Sequence, residues 1–169
     1  MTEQVTDIDA LLEIDATTPG VVDEIVRSAS EPVVLRGLVG DWPIVQAGLR
    51  SPRDAAEYIR QFYEGRPLTA SFAPPSIKGR VGYNEDLNGF NFEAVSIGLD
   101  DFLDRLFSHI DSEEPPASYV GSTLLDIWFP GFRAENDLKI DGAEPIASLW
   151  IGNQIRVSAH CDFPDNIAC

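Results

Sequence analysis

At 169 residues the chain is long enough for one domain with a sizeable core. Its hydrophobic fraction of 44% is that of a soluble globular protein. A net charge of −16 at pH 7 argues against nucleic acid as a partner, because binding a phosphate backbone relies on Lys and Arg to displace counterions. The simplest role of the charge is solubility. Met1 to Ala10 carries no positively charged n-region of a signal peptide, and no run approaches the roughly 18 apolar residues needed to span a bilayer. The only cysteines, Cys161 and Cys169, are too few for a disulfide scaffold, so the expected setting is cytoplasmic and reducing.

The first segment, Thr6 to Ala29, is acidic and amphipathic. Thr18-Pro19-Gly20 breaks it, and Val21, Val22, Ile25 and Val26 then form the apolar stripe of a short helix, closed by Glu31-Pro32. We take residues 1–30 as an N-terminal helical segment and 31–169 as the main domain. Pro32 to Gly37 reads as a buried, β-branched strand, and Leu38 to Gln46 as a loop carrying Asp41-Trp42-Pro43. Ser51-Pro52 supplies an N-cap and an N1 proline for a helix to about Tyr63, with Ala55, Ala56, Ile59 and Phe62 towards one face and Gly65 as its C-cap. Arg66 to Ala73 is a strand that Pro74-Pro75 ends. Gly79 to Tyr83 suggests another, before a turn at Asn88-Gly89 and the alternating pair Phe90 and Phe92, read as core. Leu99 to Ile110 carries Phe102, Leu103, Leu106 and Phe107 on a helical stripe. Ala117 to Gly121 is a short strand, Thr123 to Phe129 is ambiguous between strand and helix, and Arg133 to Gly142 is a surface loop.

The last stretch carries the chemistry. Ile146 to Ile151 reads as a strand, Gly152-Asn153 as a two-residue hairpin turn, and Gln154 to Asp162 as the returning strand. A further strand begins at Asn166. Side chains at i and i+2 of a strand share a face, so His160 and Asp162 converge. An imidazole and a carboxylate so placed are two members of the 2-His-1-carboxylate triad that holds non-heme Fe(II). The third member is not visible, since the other histidine, His109, sits on an upstream helix. Arg156 and Ser158 share the face of His160, as pocket lining or as structural groups. Cys161, between the ligands, points to the opposite face. Trp42, Trp128 and Trp150 read as core or rim packing.

The stretch Leu149-Trp150-Ile151-Gly152, His160-x-Asp162 and Asn166 resembles the bacterial cupin-like branch of the JmjC superfamily, which is related to the asparaginyl hydroxylase acting on hypoxia-inducible factor. Pro32-Val-Val-Leu-Arg-Gly, Asp41-Trp42-Pro43, Tyr83-Asn84, Gly89-Phe90-Asn91-Phe92 and Tyr119-Val120 extend the likeness over Glu31 to Cys169. The resemblance implies a mainly β fold with helices (α+β): a partial double-stranded β-helix, the cupin or jelly-roll, with helices on one side. It implies Fe(II) with 2-oxoglutarate as co-substrate, His160 and Asp162 as metal ligands, Asn166 close to the metal and Tyr119 on the 2-oxoglutarate carboxylate. From the residues alone, Asn166 also fits a turn residue. Gly121 and Ser122 replace longer polar residues of the family.

In that family a basic segment, an apolar strand and a distal histidine follow the asparagine. The expectation is therefore an N-terminal part of a longer protein, truncated before its C-terminal strands, with dioxygenase activity in the full-length protein and not in these 169 residues alone. The rivals are a non-catalytic cupin-like binding or interaction module and an oxygen-using cupin without 2-oxoglutarate. The substrate is a protein side chain or a small molecule, and a homodimer fits the full-length protein.

Overall fold

The computed structural model describes residues 11–16, 20–158, 160 and 166–169. Among the described residues two sheets form: a parallel pair, and a four-stranded antiparallel sheet of order β4-β3-β5-β6. The pair is β1 (Leu12–Asp15) and β2 (Val33–Arg36), joined across α1 (Val21–Ser28). A parallel pairing needs a crossover, and the helix supplies it. Arg36 grips Glu13 across the pair at 2.9 Å, and the amide of Ala16 donates to the carbonyl of Arg36. The helix matches the sequence reading. β1 does not, because four mostly exposed residues, two of them acidic, carry too weak a strand signal until β2 is there to receive them.

Leu38 to Gln46 is a loop only as far as Trp42. Pro43 takes the first position of α2 (Pro43–Arg50), where its missing N–H and preset φ suit a helix start. The chain turns at Ser51 into α3 (Pro52–Arg60), whose Ser51 hydroxyl accepts from the amide of Asp54 at 3.0 Å. This helix ends at Gln61 rather than at Gly65. Gly65 instead adopts φ +80° in the turn that leads into the sheet.

The four-stranded sheet comprises β3 (Leu68–Ala73), β4 (Glu93–Ile97), β5 (Ala117–Leu124) and β6 (Ser148–Gly152), with α4 (Leu99–Phe107) between β4 and β5 and a single helical turn, α5 (Leu125–Trp128), after β5. The ambiguous stretch from Thr123 is thus the end of a strand followed by a helical turn. Register puts Leu68, Ala70 and Phe72 beside Val95, Ile97 and Val120, and Ile151 beside Val120. That face packs on Ile59 of α3, Phe102 and Leu103 of α4, Leu125, Phe129 and Phe132. Phe102 and Leu99 are fully buried, each contributing about 1.5–3 kcal/mol by leaving water. Helices on one side of an antiparallel sheet make the α+β architecture that was expected.

Other expectations are corrected. Gly79 to Tyr83 forms no strand and keeps one bridge, Tyr83 to Phe90. Asn136, in the expected surface loop, is 2% exposed and holds three contacts: it accepts from the amide of Ile44 and donates to the hydroxyl of Tyr58 and the carbonyl of Phe132. Ser118, facing the core opposite Phe72, is 1% exposed, and among the described residues its hydroxyl has no hydrogen-bond partner. Among the described residues, no helix is long and apolar enough to cross a membrane.

Candidate functional site

The face of the sheet turned away from the helices carries Thr69, Ser71, Ala94, Ser96, Tyr119, Trp150 and Gly152. Alternation along each strand puts them there, because their neighbours point into the core. Tyr119 lies in the middle of this face, paired with Ser71 on one side and Gly152 on the other. Its ring lies against bare backbone. A β-carbon built on Gly121 would meet Tyr119 Cε1 at 2.8 Å and the hydroxyl oxygen at 3.0 Å, and one on Gly152 would meet Tyr119 Cδ2 at 3.1 Å. Partial burial pushes the phenol above its ordinary pKa, so it is a protonated donor at neutral pH. Immediately after it, the pairing of β5 with β6 slips between Val120 and Thr123, a β-bulge with Ser122 at φ +50°.

The hairpin expected at Gly152-Asn153 does not form, and residues 154–158 are not a strand. The reason is Asn153. Its amide donates to the carbonyl of Ser118 at 3.2 Å, its Oδ1 accepts from the amide of Ser118 and its Nδ2 donates to the carbonyl of Pro116 at 2.8 Å. The chain therefore continues along β5 with a side chain doing the work of backbone. It then docks on the loop after β3, where the amide of Arg156 donates to the carbonyl of Gly79 at 2.8 Å. Gly79, buried and at φ +75°, lies so close that a β-carbon there would collide with the carbonyl of Gln154. Without the strand, Arg156 and Ser158 no longer share a strand face with His160, and all three are exposed.

His160 Nδ1 lies 2.8 Å from the carbonyl oxygen of Ser158. A carbonyl can only accept, so Nδ1 carries the proton in the neutral ring and Nε2 carries the lone pair. Histidines that bind metals commonly have their second nitrogen tied to such an acceptor. The donor chemistry of His160 therefore fits a metal. Asp162 and Cys161 lie outside the described residues, so the convergence of His160 with Asp162 is not on view. Asn166 is exposed, and residues 166–169 are not a strand. His109 lies in the turn after α4. Among the described residues, no group of three or more His, Cys, Asp or Glu side chains is arranged to hold a metal ion.

The loop between β3 and β4 adds an aromatic row that includes Phe90 and Phe92, the pair read as core from the sequence. Tyr83 and Phe90 stack at 5.4 Å and Phe90 and Phe92 at 4.9 Å, with Tyr83 and Phe90 both mostly exposed. Asn91 holds the loop, accepting from the amide of Gly82 and donating to the carbonyl of Arg80. Phe90 and Phe92 border an open groove of about 530 Å³. Its other walls include Phe72, Glu93 and Arg105, the Arg105 guanidinium lying 3.6 Å over the Phe72 ring. The aromatic alternation around Asn91 and the family likeness of Tyr83-Asn84 and Gly89-Phe90-Asn91-Phe92 were the signals in the sequence.

A comparison with family models matches the cupin-like domain over residues 20–169. Comparisons with curated proteins and with solved structures find no match.

Proposed function

The chain belongs to the cupin-like domain family, and from that membership we propose that it is the Fe(II)/2-oxoglutarate oxygenase type of cupin-like domain, with His160 and Asp162 as its metal-binding pair. The observation that supports this reading is the bond from His160 Nδ1 to the carbonyl of Ser158, which leaves Nε2 as the ring nitrogen that can ligate a metal. When bound, Fe(II) and 2-oxoglutarate supply oxygen activation coupled to oxidative decarboxylation of the co-substrate and hydroxylation of a C–H bond. In this reading His160 donates through Nε2, and the carboxylate of Asp162 offsets metal charge. Tyr119 donates its hydroxyl proton to a carboxylate of 2-oxoglutarate, and Asn166 orders a group beside the metal. The acceptor of the reaction is a protein side chain or a small molecule, nucleic acid being disfavoured by the net charge of −16.

Mn(II) as a paramagnetic probe in place of iron tests the metal reading. Selective broadening of the His160 ring signals, weakened in D162A, is the expected result. His109 is an internal control. Equal broadening of both histidines, as from diffuse binding to an acidic surface, would sink the proposal. The exposure of His160 and Asn166 favours a second reading, a cupin-like binding module without catalysis. Release of succinate from 2-oxoglutarate, dependent on Fe(II), separates the two.

A further inference from the structure

We infer that Gly121 is a positioning residue for Tyr119: the space of its missing side chain seats the phenol ring, with Gly152 as the second seat from the neighbouring strand. The inference rests on the reading of Tyr119 as the 2-oxoglutarate contact and says what places its hydroxyl.

Nothing in the backbone asks for glycine at position 121, since its φ is not in the left-handed region. What a larger residue would displace is the ring. The three nearest atoms to a β-carbon there are Tyr119 Cε1 at 2.8 Å, Cζ at 3.0 Å and the hydroxyl oxygen at 3.0 Å. All belong to one side chain, two residues back on the same strand face.

Gly152 receives the opposite edge of the ring. A β-carbon there would stand 3.1 Å from Tyr119 Cδ2, 3.0 Å from the carbonyl oxygen of Ser118 and 3.3 Å from Ile155 Cγ1. Its constraint is therefore shared between ring and backbone, whereas that of Gly121 is the ring's alone. Seated at both edges, the ring leans along β5 and carries its hydroxyl over Gly121, beside the bulge, on the face away from the core. Among the described residues no hydrogen bond holds that hydroxyl. Sterics alone fix it, leaving its proton for a ligand. A side chain at 121 would push the ring off its seat and carry the hydroxyl with it, where a hydrogen bond tolerates only tenths of an ångström.

The test uses the 169-residue chain as Y119F, Y119A, G121A and the Y119A/G121A double variant. G48A serves as control, since Gly48 on α2 has its nearest neighbour at 4.0 Å. Melting temperature, the NMR signals of the Tyr119 ring and of the Gly152 α-protons, and titration with 2-oxoglutarate in the presence of Mn(II) are measured. G121A is expected to lower Tm and to shift both sets of signals. In the Y119A background, where no ring is left to displace, it should cost little. Affinity for 2-oxoglutarate should fall about tenfold in both Y119F and G121A, the loss of one hydrogen bond to a charged group. Should G121A prove insoluble, recovery of folding in the double variant still reports the seat. An equal loss of Tm in both backgrounds would overturn the seat, placing the need for glycine in the backbone. Coupling of Gly121 to Tyr119 with 2-oxoglutarate binding unchanged in Y119F would instead overturn the co-substrate role of Tyr119, and with it the positioning role, leaving a packing contact.

Discussion

Asn136 caps a helix that begins 93 residues earlier: its Oδ1 accepts the amide of Ile44 at 3.0 Å. Trp42, the residue at the N-cap of α2, provides no side-chain cap, so one of the helix's orphan N–H groups is satisfied from across the molecule. The amide nitrogen of the same side chain reaches the hydroxyl of Tyr58 on α3 and the carbonyl of Phe132. One buried amide thus ties α2, α3 and the turn after α5 together. N136A should cost about 2–3 kcal/mol, because it strands buried polar partners as well as losing their bonds. Chemical denaturation would register this, and a loss under about 0.5 kcal/mol would show that water substitutes freely.

Tyr58 gives the network a pH dependence. Burial is the main reason its phenol titrates above the ordinary range. The hydrogen bond and charge of Glu135 add to the shift, while the hydrogen bond from Asn136 opposes it. A folded pKa above the unfolded value favours the folded state while the phenol is protonated. The contribution is therefore fully present below about pH 10 and is lost as pH rises through the folded value. Thermal melts from pH 8 to 11 should show wild type losing Tm more steeply above pH 10 than Y58F.

Gly79 is the seam between the loop after β3 and the segment leading to His160. A methyl group there meets the carbonyl of Gln154 head-on, and φ +75° is itself unfavourable for alanine. G79A should break the bond from Arg156 to Gly79 and displace residues 154–156, destabilising the fold by about 2 kcal/mol or more. Chemical-shift changes should centre on Gln154 to Ser158 and leave α3 and α4 unmoved. An unperturbed segment would contradict the docking.

Ser118 predicts the opposite sign. Its buried hydroxyl lacks a partner among the described residues, so S118A removes a polar group that folding had to desolvate. The expected result is unchanged or higher stability, by up to about 1 kcal/mol. A loss beyond about 1 kcal/mol would mean the hydroxyl is bonded in solution.

Elements with strong local chemistry were readable in the sequence. Ser51-Pro52 announces α3, the Phe102, Leu103 and Leu106 stripe announces α4, and Pro74-Pro75 ends β3. What escaped was decided at long range. β1 has too few apolar residues to declare itself without its partner. The Gly152-Asn153 dipeptide is a good hairpin signal, yet Asn153 is used to bond Pro116 and Ser118. The same holds for Asn136, whose partners Ile44 and Tyr58 are remote in the chain. At the candidate site, Tyr119 was legible only through family resemblance. Its glycine seat was not, because two of the residues that make it lie on different strands.

The strand order β4-β3-β5-β6 has a consequence for how the molecule opens. Backbone amides of β3 and β5 are enclosed by a strand on each side, and β3 also lies under the Phe102 and Leu103 side of the core. The β1–β2 ribbon is held by one short ladder and an exposed ion pair. Hydrogen–deuterium exchange should therefore separate the chain into two cooperative units. The ribbon should trade its protons at low opening energy, while Ala70 to Phe72 should wait for global unfolding. The candidate site hangs between these regimes: Tyr119 belongs to the slow unit, whereas His160 lies eight residues beyond β6, where no ladder protects it.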